Sequence, residues 1–262
     1  METYKKVIWG SSIAAGLAVI VIIIVLFLPG KKPGSQDAVS DLEQVEPKPV
    51  ATPLSKETED EQPADEPPLD VGLNESDDLV REQLGACSTH PGFEKWLKNG
   101  ELIRKAVAVT VNIANGESPA AHLHSLLPAG KFKVIETSGK IYLDPNNYKR
   151  YDQAAAIFTS LDSAVIVSLY RRAGHLIEEA FKDLGYPDKK FDDVLHRAID
   201  ILLTAPIIDR EIILKEKVTT YMFVDPRLEK LNPAGKHLLR MGPENIRKIQ
   251  AKLREIAALL YP

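Results

Sequence analysis

The sequence predicts a mainly α protein in three parts: an N-terminal transmembrane helix, a disordered leash, and a helical globular domain with one or two short β-hairpins. Three observations predict it. Residues 7–28 form an unbroken apolar run without a charge; residues 29–68 are rich in proline and carboxylates and hold no aromatic ring; from residue 69 onward apolar side chains recur at spacings of three and four.

The apolar run comes first. A helix rises about 1.5 Å per residue, so residues 7–28 reach roughly 30 Å, the thickness of a bilayer's hydrocarbon core. Ile, Val, Leu and Phe dominate it, and Lys5, Lys6, Lys31 and Lys32 close it at both ends. A cleaved secretory signal is the competing reading, but its apolar core is about 7–15 residues and ends at a small-residue cleavage site. Here Pro29, Gly30, Lys31 and Lys32 follow. Lysines balance across the run, so charge does not set the orientation. The short tail 1–6 favours an N-terminus left in the cytoplasm and a C-terminal head in the periplasm, a single-pass inner-membrane protein.

Residues 29–68 carry eight prolines and ten carboxylates against four lysines, a net charge of −6. Such a stretch cannot bury enough apolar surface to offset the entropy of ordering it. It reads as a spacer reaching between about 35 Å as a flexible coil and about 120 Å as polyproline.

The head, residues 69–262, is long enough for one domain with a sizeable core. From residue 70 on it holds 27 basic against 26 acidic side chains, so the whole-chain charge of −4 lives in the leash. Without a basic surplus or a nucleic-acid module pattern, nucleic acid is not an expected partner. Cys87 is the only cysteine, which excludes an intramolecular disulfide and a cysteine-based zinc site.

Within the head, residues 102–114 read as a helix ended by Gly116. Residues 163–184 place Val165, Ile166, Leu169, Ala173, Leu176, Ile177, Ala180, Phe181 and Leu184 on one stripe, predicting a single long helix closed by Gly185 and Pro187. Phe191, Val194, Leu195, Ala198, Ile199 and Leu202 predict a helix over 191–204. Ile246, Ile249, Leu253, Ile256 and Leu260 predict the last one, after Gly242-Pro243. Its stripe is narrow like a coiled-coil seam, but two heptads are too short to stand alone and predict packing onto the same domain.

Helix starts share one style. Asp144-Pro145, Asp225-Pro226, Asn232-Pro233 and Gly242-Pro243 each set a capping residue before a proline, whose missing amide leaves no orphan donor. Phe132–Thr137 and Lys140–Leu143 read as strands joined at Ser138-Gly139, and Glu211–Phe223 as a further extended stretch.

The phrases KIYLDPNNYKRYD (140–152), SLYRRAGHLIEEAFKDLGYPDKKFDDVLHRAIDILLTAP (168–206) and LLRMGPENIRKIQAKLREI (238–256) resemble a bacterial domain-of-unknown-function family, DUF3014, over roughly residues 70–262. The resemblance implies a single-span envelope protein with a helical C-terminal domain. It brings no activity and no site residues.

Candidate site residues come from helical spacing. His175 and Glu179 share one face; Asp192, His196 and Asp200 share another. Should the faces meet, these groups could hold a divalent metal, though all lie off the apolar stripes, where solvated side chains belong. His196 between two aspartates also admits a pH-sensing role. Tyr170, Arg171 and Arg172 could clamp a phosphate or carboxylate, or pair along their own helix. At the MGPEN junction Arg240 and Asn245 beside a helix N-terminus suggest an anion cradle. The plainer reading is that Gly242 ends one helix while Pro243 and Glu244 start the next. His122 and His124 are too few to hold zinc.

The sequence holds no GxSxG elbow, Walker loop, HExxH, GxGxxG or CxxC. The reading therefore leans away from an enzyme and expects no cofactor. It favours a membrane-anchored interaction or scaffolding module whose head meets an envelope protein partner at a distance set by the spacer. A cell-wall hydrolase and a metal, ligand or pH sensor are the alternatives.

Overall fold

The computed structural model describes residues 67–118, 132–218 and 220–262, the side chains of residues 95 and 96 excepted. The tail, the apolar run 7–28 and all but the last two residues of the leash lie outside the described residues, as do His122 and His124. Among the described residues no single helix is long and apolar enough to cross a membrane. One bent pair, residues 145–159 with 163–172, passes on length and composition. Its 70° turn and its buried apolar side chains mark it as core.

The described residues are mainly helical. In order they form α1 (Ser76–Gly85), α2 (Pro91–Leu97), α3 (Leu102–Ala114), β1 (Val134–Thr137), β2 (Lys140–Leu143) and a 3-10 segment (Pro145–Tyr151). Next come α4 (Asp152–Thr159), α5 (Ser163–Arg172), α6 (Gly174–Asp183), α7 (Phe191–Leu203), β3 (Ile213–Lys217) and β4 (Thr220–Phe223). α8 (Pro226–Glu229), α9 (Pro233–Arg240) and α10 (Pro243–Leu260) complete the chain.

α3 is the central helix, buried on nearly every side, and it packs on α6 and α7. Its N-terminus is capped from a distance. Glu101, just before it, has φ +56°, and the Asp77 carboxylate of α1 accepts the amides of Glu101 (2.6 Å) and Leu102 (2.9 Å). α10 lies across α4, α5 and α7, with Ile246, Ile249, Leu253 and Ile256 all fully buried. The narrow stripe thus packs onto its own domain.

Gln250 of α10 is also buried. Its amide nitrogen donates to the carbonyls of Leu202 (3.0 Å), Leu203 (3.1 Å) and Ala205 (2.9 Å), satisfying carbonyls that the C-terminal end of α7 would otherwise leave without partners in the core. Gln250→Leu keeps the volume and strands these acceptors. It is expected to cost about 1–3 kcal/mol, read as a lower urea midpoint at unchanged slope.

One prediction fails. The stripe over 163–184 does not form one helix: α5 ends at Arg172, Ala173 leaves helical geometry (φ −93°, ψ 7°), and α6 starts at Gly174. Ala173 and Gly174 are both buried at the break, and the apolar faces of α5 and α6 stay in the core on either side of it.

Both hairpins exist, and they join into one antiparallel sheet in the order β1-β2-β3-β4. Ser138 (φ +51°) and Gly139 (φ +70°) turn the first hairpin. The 211–223 stretch is not a single run but β3 and β4, and Ile141 pairing with Leu214 links the hairpins. A second, smaller core lies beneath the sheet: Leu143, Ile212, Leu214 and Phe223 on Leu228 and Leu239.

Candidate functional site

The Asp-Pro and Asn-Pro starts behave as read. Asp144 accepts the Asn146 amide, Asp225 that of Arg227 and Asn232 that of Gly235. The segment after β2 meets the α9–α10 corner through Tyr148 and Asp152, which bring together two of the phrases that carry the family resemblance. Gly242 sits at φ +84°, ψ 160° with its α-carbon against the Tyr148 ring. Asn245 is buried, and its side-chain nitrogen donates to Asp152 (2.9 Å), to the Met241 carbonyl (2.9 Å) and, at 3.4 Å, to that of Tyr148. Asn147 closes the other side on both backbone groups of Lys133. His237 is buried beside this joint, edge-on to Tyr151 at 6.0 Å and 3.3 Å from the Ser118 hydroxyl. Burial, and then the Arg240 charge, push its imidazole down to about 3.

Asn245 is thus set apart from the proposed anion cradle, and Arg240 is not joined to it. Asn245 spends its donors on the joint, and Arg240 stands exposed at the end of α9. Gly242 does end one helix as Pro243 starts the next.

Tyr170, Arg171 and Arg172 are adjacent in sequence but do not converge. The buried Tyr170 hydroxyl donates to Asp192 (2.6 Å). Burial first, and Asp192 second, push that phenol well above its ordinary value. Arg171 donates to the Leu259 carbonyl at the end of α10, at 3.2 Å. Arg172 donates to Gln83 (2.8 Å) and to the Pro67 carbonyl (3.1 Å), holding the entering chain where Leu69 meets α5. Their roles lie in closing the fold.

His175 and Glu179 are exposed on α6. α6 meets the start of α7 instead through Glu178, which accepts the Phe191 amide (3.0 Å). Asp192 and His196 do fall together on α7, with Tyr261 beside them. The His196 ring stacks on Tyr261 (4.8 Å, 26°) and its Nε2 is 3.6 Å from Asp200. Burial first, with Asp192, Asp200 and Asp193 after it, raises the Tyr261 phenol. Sequence spacing could not supply Tyr261, which lies beyond the last stripe. Among the described residues no three of His, Cys, Asp and Glu are gathered to hold a metal ion. His175 and Glu179 thus do not join Asp192 and His196 in such a group.

Two features that helical spacing misses lie at the sheet. One is a cleft of about 560 Å³ between β3, the end of β4 and α8, lined among others by Arg210, Ile213, Val224 and Arg227. Asp225 at its edge binds Arg210 (2.6 Å) and Arg227 (3.2 Å), which hold its carboxyl down at about 2, the Arg227 hydrogen bond foremost. The other is the face of the sheet turned away from its core. Ile135 pairs with Tyr142, Tyr142 with Ile213, and the Val224 amide bonds to the Ile213 carbonyl. An apolar row thus crosses β1, β2 and β3 to the residue that follows β4, and its ends are open: Ile135 is 45% and Val224 46% exposed. Alternation puts Lys140, Lys215 and Lys217 on that same face, and Glu136 and Glu216 on the opposite one.

The model of one family, Protein of unknown function (DUF3014), matches residues 102–257, more than half of the chain. The chain belongs to DUF3014. The match runs from the first residue of α3 to near the end of α10, a narrower span than the 70–262 of the resemblance. It includes the DUF3014 joint between Tyr148 and Gly242, the charged cleft and the whole sheet. No curated protein and no solved structure matches the chain.

Proposed function

We propose that this DUF3014 protein is a membrane-tethered interaction module of the bacterial envelope. The apolar run 7–28 anchors it in the inner membrane, the acidic leash spaces it, and a periplasmic head works by surface contact rather than by turning over a substrate. One observation carries the reading: an apolar row, half-buried in the middle and exposed at both ends, crosses the sheet's outer face beside a charged cleft. Aligned apolar exposure of this kind marks a contact surface, where scattered residues mark nothing. The placement of the polar candidates supports it as well, since Tyr170, Arg171, Arg172 and Asn245 are engaged in holding the fold.

The test has two parts. Full-length chain is expected to stay with membranes through an alkaline carbonate wash. A photo-crosslinking residue at Ile135 or Val224 is expected to capture neighbouring molecules in cells far more than one at Leu184, which is equally exposed at 46% on the helical side. Equal yields at all three positions, or release by carbonate, would overturn the reading.

A further inference from the structure

We propose that the outer face of the sheet docks the head onto an anionic lipid surface, a proposal that rests on the membrane-tethered reading above and names what the contact surface meets. The face combines two chemistries. Its apolar row is Ile135, Tyr142, Ile213 and Val224, and its charges are Lys140, Lys215 and Lys217. Among the described residues the strands add no carboxylate to it; Glu136 and Glu216 fall on the other parity, Glu211 stands exposed just ahead of β3 at the cleft, and Asp225 lies beyond the row, held by Arg210 and Arg227.

Both hairpin turns lie at one end of the sheet, because β2 runs away from its turn alongside the strand that runs into the other. That end carries Lys140, Lys217 and Val218, and Val218 is fully exposed. Aliphatic and tyrosyl groups flanked by lysines are the composition that sits at a bilayer interface, the apolar atoms entering the acyl boundary and the ammonium groups meeting lipid phosphates. Charge complementarity thus selects an anionic surface. The length of chain ahead of Pro67 selects it too. A leash of 40 residues, with a reach of about 35 Å as a coil and about 120 Å as polyproline, keeps the head within reach of its own bilayer, so weak interfacial affinity is multiplied by a raised local concentration. Docked this way, the head turns its helical side outward.

The test places an environment-sensitive fluorophore on Val218→Cys in the full chain. Cys87 does not compete for the label, since it is buried and its thiol is pushed up to about 12. In vesicles of equal parts phosphatidylglycerol and phosphatidylcholine the label is expected to shift blue and brighten severalfold relative to phosphatidylcholine alone. High salt and the triple variant Lys140→Glu/Lys215→Glu/Lys217→Glu are each expected to abolish the change, while Lys182→Glu/Lys189→Glu on the helical side keeps it. Identical spectra in the two lipids overturn the proposal. So does a blue shift that is independent of lipid charge and vanishes when the carboxylates of 57–66 are neutralised, which assigns the face to the chain's own leash. Carbonate extraction of the same preparations separates the two readings: a chain retained but spectrally silent keeps the tether and loses the docking face, and a chain washed out yet lit by anionic vesicles does the reverse.

Discussion

Gly242→Ala is expected to be among the most destabilising single substitutions in the head, although it adds one methyl group. At φ +84° and ψ 160° the backbone occupies a region essentially reserved for glycine, where another residue stores about 1–3 kcal/mol. The added β-carbon would also stand 2.4 Å from Tyr148 Cγ, 2.7 Å from Cδ2 and 2.8 Å from Cβ. The ring cannot simply swing away, because it packs against the second core and its carbonyl faces Asn245. Overpacking of this kind costs about 1–3 kcal/mol more. Together the two approach a large part of a typical stability of about 5–15 kcal/mol. Tyr148→Ala separates them. In the double variant the contacts with Cγ and Cδ2 are gone, while the backbone strain and the 2.8 Å contact with the β-carbon of residue 148 remain, so the two losses should be less than additive by about 1 kcal/mol or more. Strict additivity in urea midpoints would show that the chain at 242 moves away from the ring.

What was legible in the sequence is what is decided locally. Asp144, Asp225 and Asn232 announce their helices because a capping oxygen and its amide lie two or three residues apart. Ser138-Gly139 announces its turn because positive φ is required at both positions. α7 and α10 are legible because their stripes never meet a competing signal. The break at Ala173 is not, since the apolar stripe continues across it. The pairing of Ile141 with Leu214 is set by register between distant strands, and the cap on α3 comes from Asp77, 24 residues before Glu101.

The candidate site divides along the same line. Helical spacing places Asp192 and His196 together because both ride α7. For His175 and Glu179 it cannot tell which face of α6 meets which neighbour. It missed the outer sheet face altogether. Four strands of four or five residues each read as short alternating runs, and their apolar row exists only after both hairpins join.

Acid is expected to weaken the fold through His237, the second large effect. The folded chain holds this imidazole at about 3, because burial and then Arg240 oppose its charge, whereas the unfolded chain restores an ordinary value of about 6.5. Above that ordinary value neither state binds the proton, and His237 adds no pH dependence. As pH falls below it the unfolded state takes up a proton that the folded state refuses, so stability drops by up to about 1.4 kcal/mol per pH unit until the folded value is reached. Carboxylates also titrate in that window, and comparison with His237→Gln removes them. Glutamine fills most of the site, can hydrogen-bond to Ser118 and does not titrate. The wild type should therefore lose ground to the variant steadily as pH is lowered from 6 to 4, with no change in their difference above 7. Urea midpoints across this range measure it. A difference independent of pH would mean that the folded chain accepts the proton, through an opening of the packing between His237, Tyr151 and Ser118 that brings water to the ring.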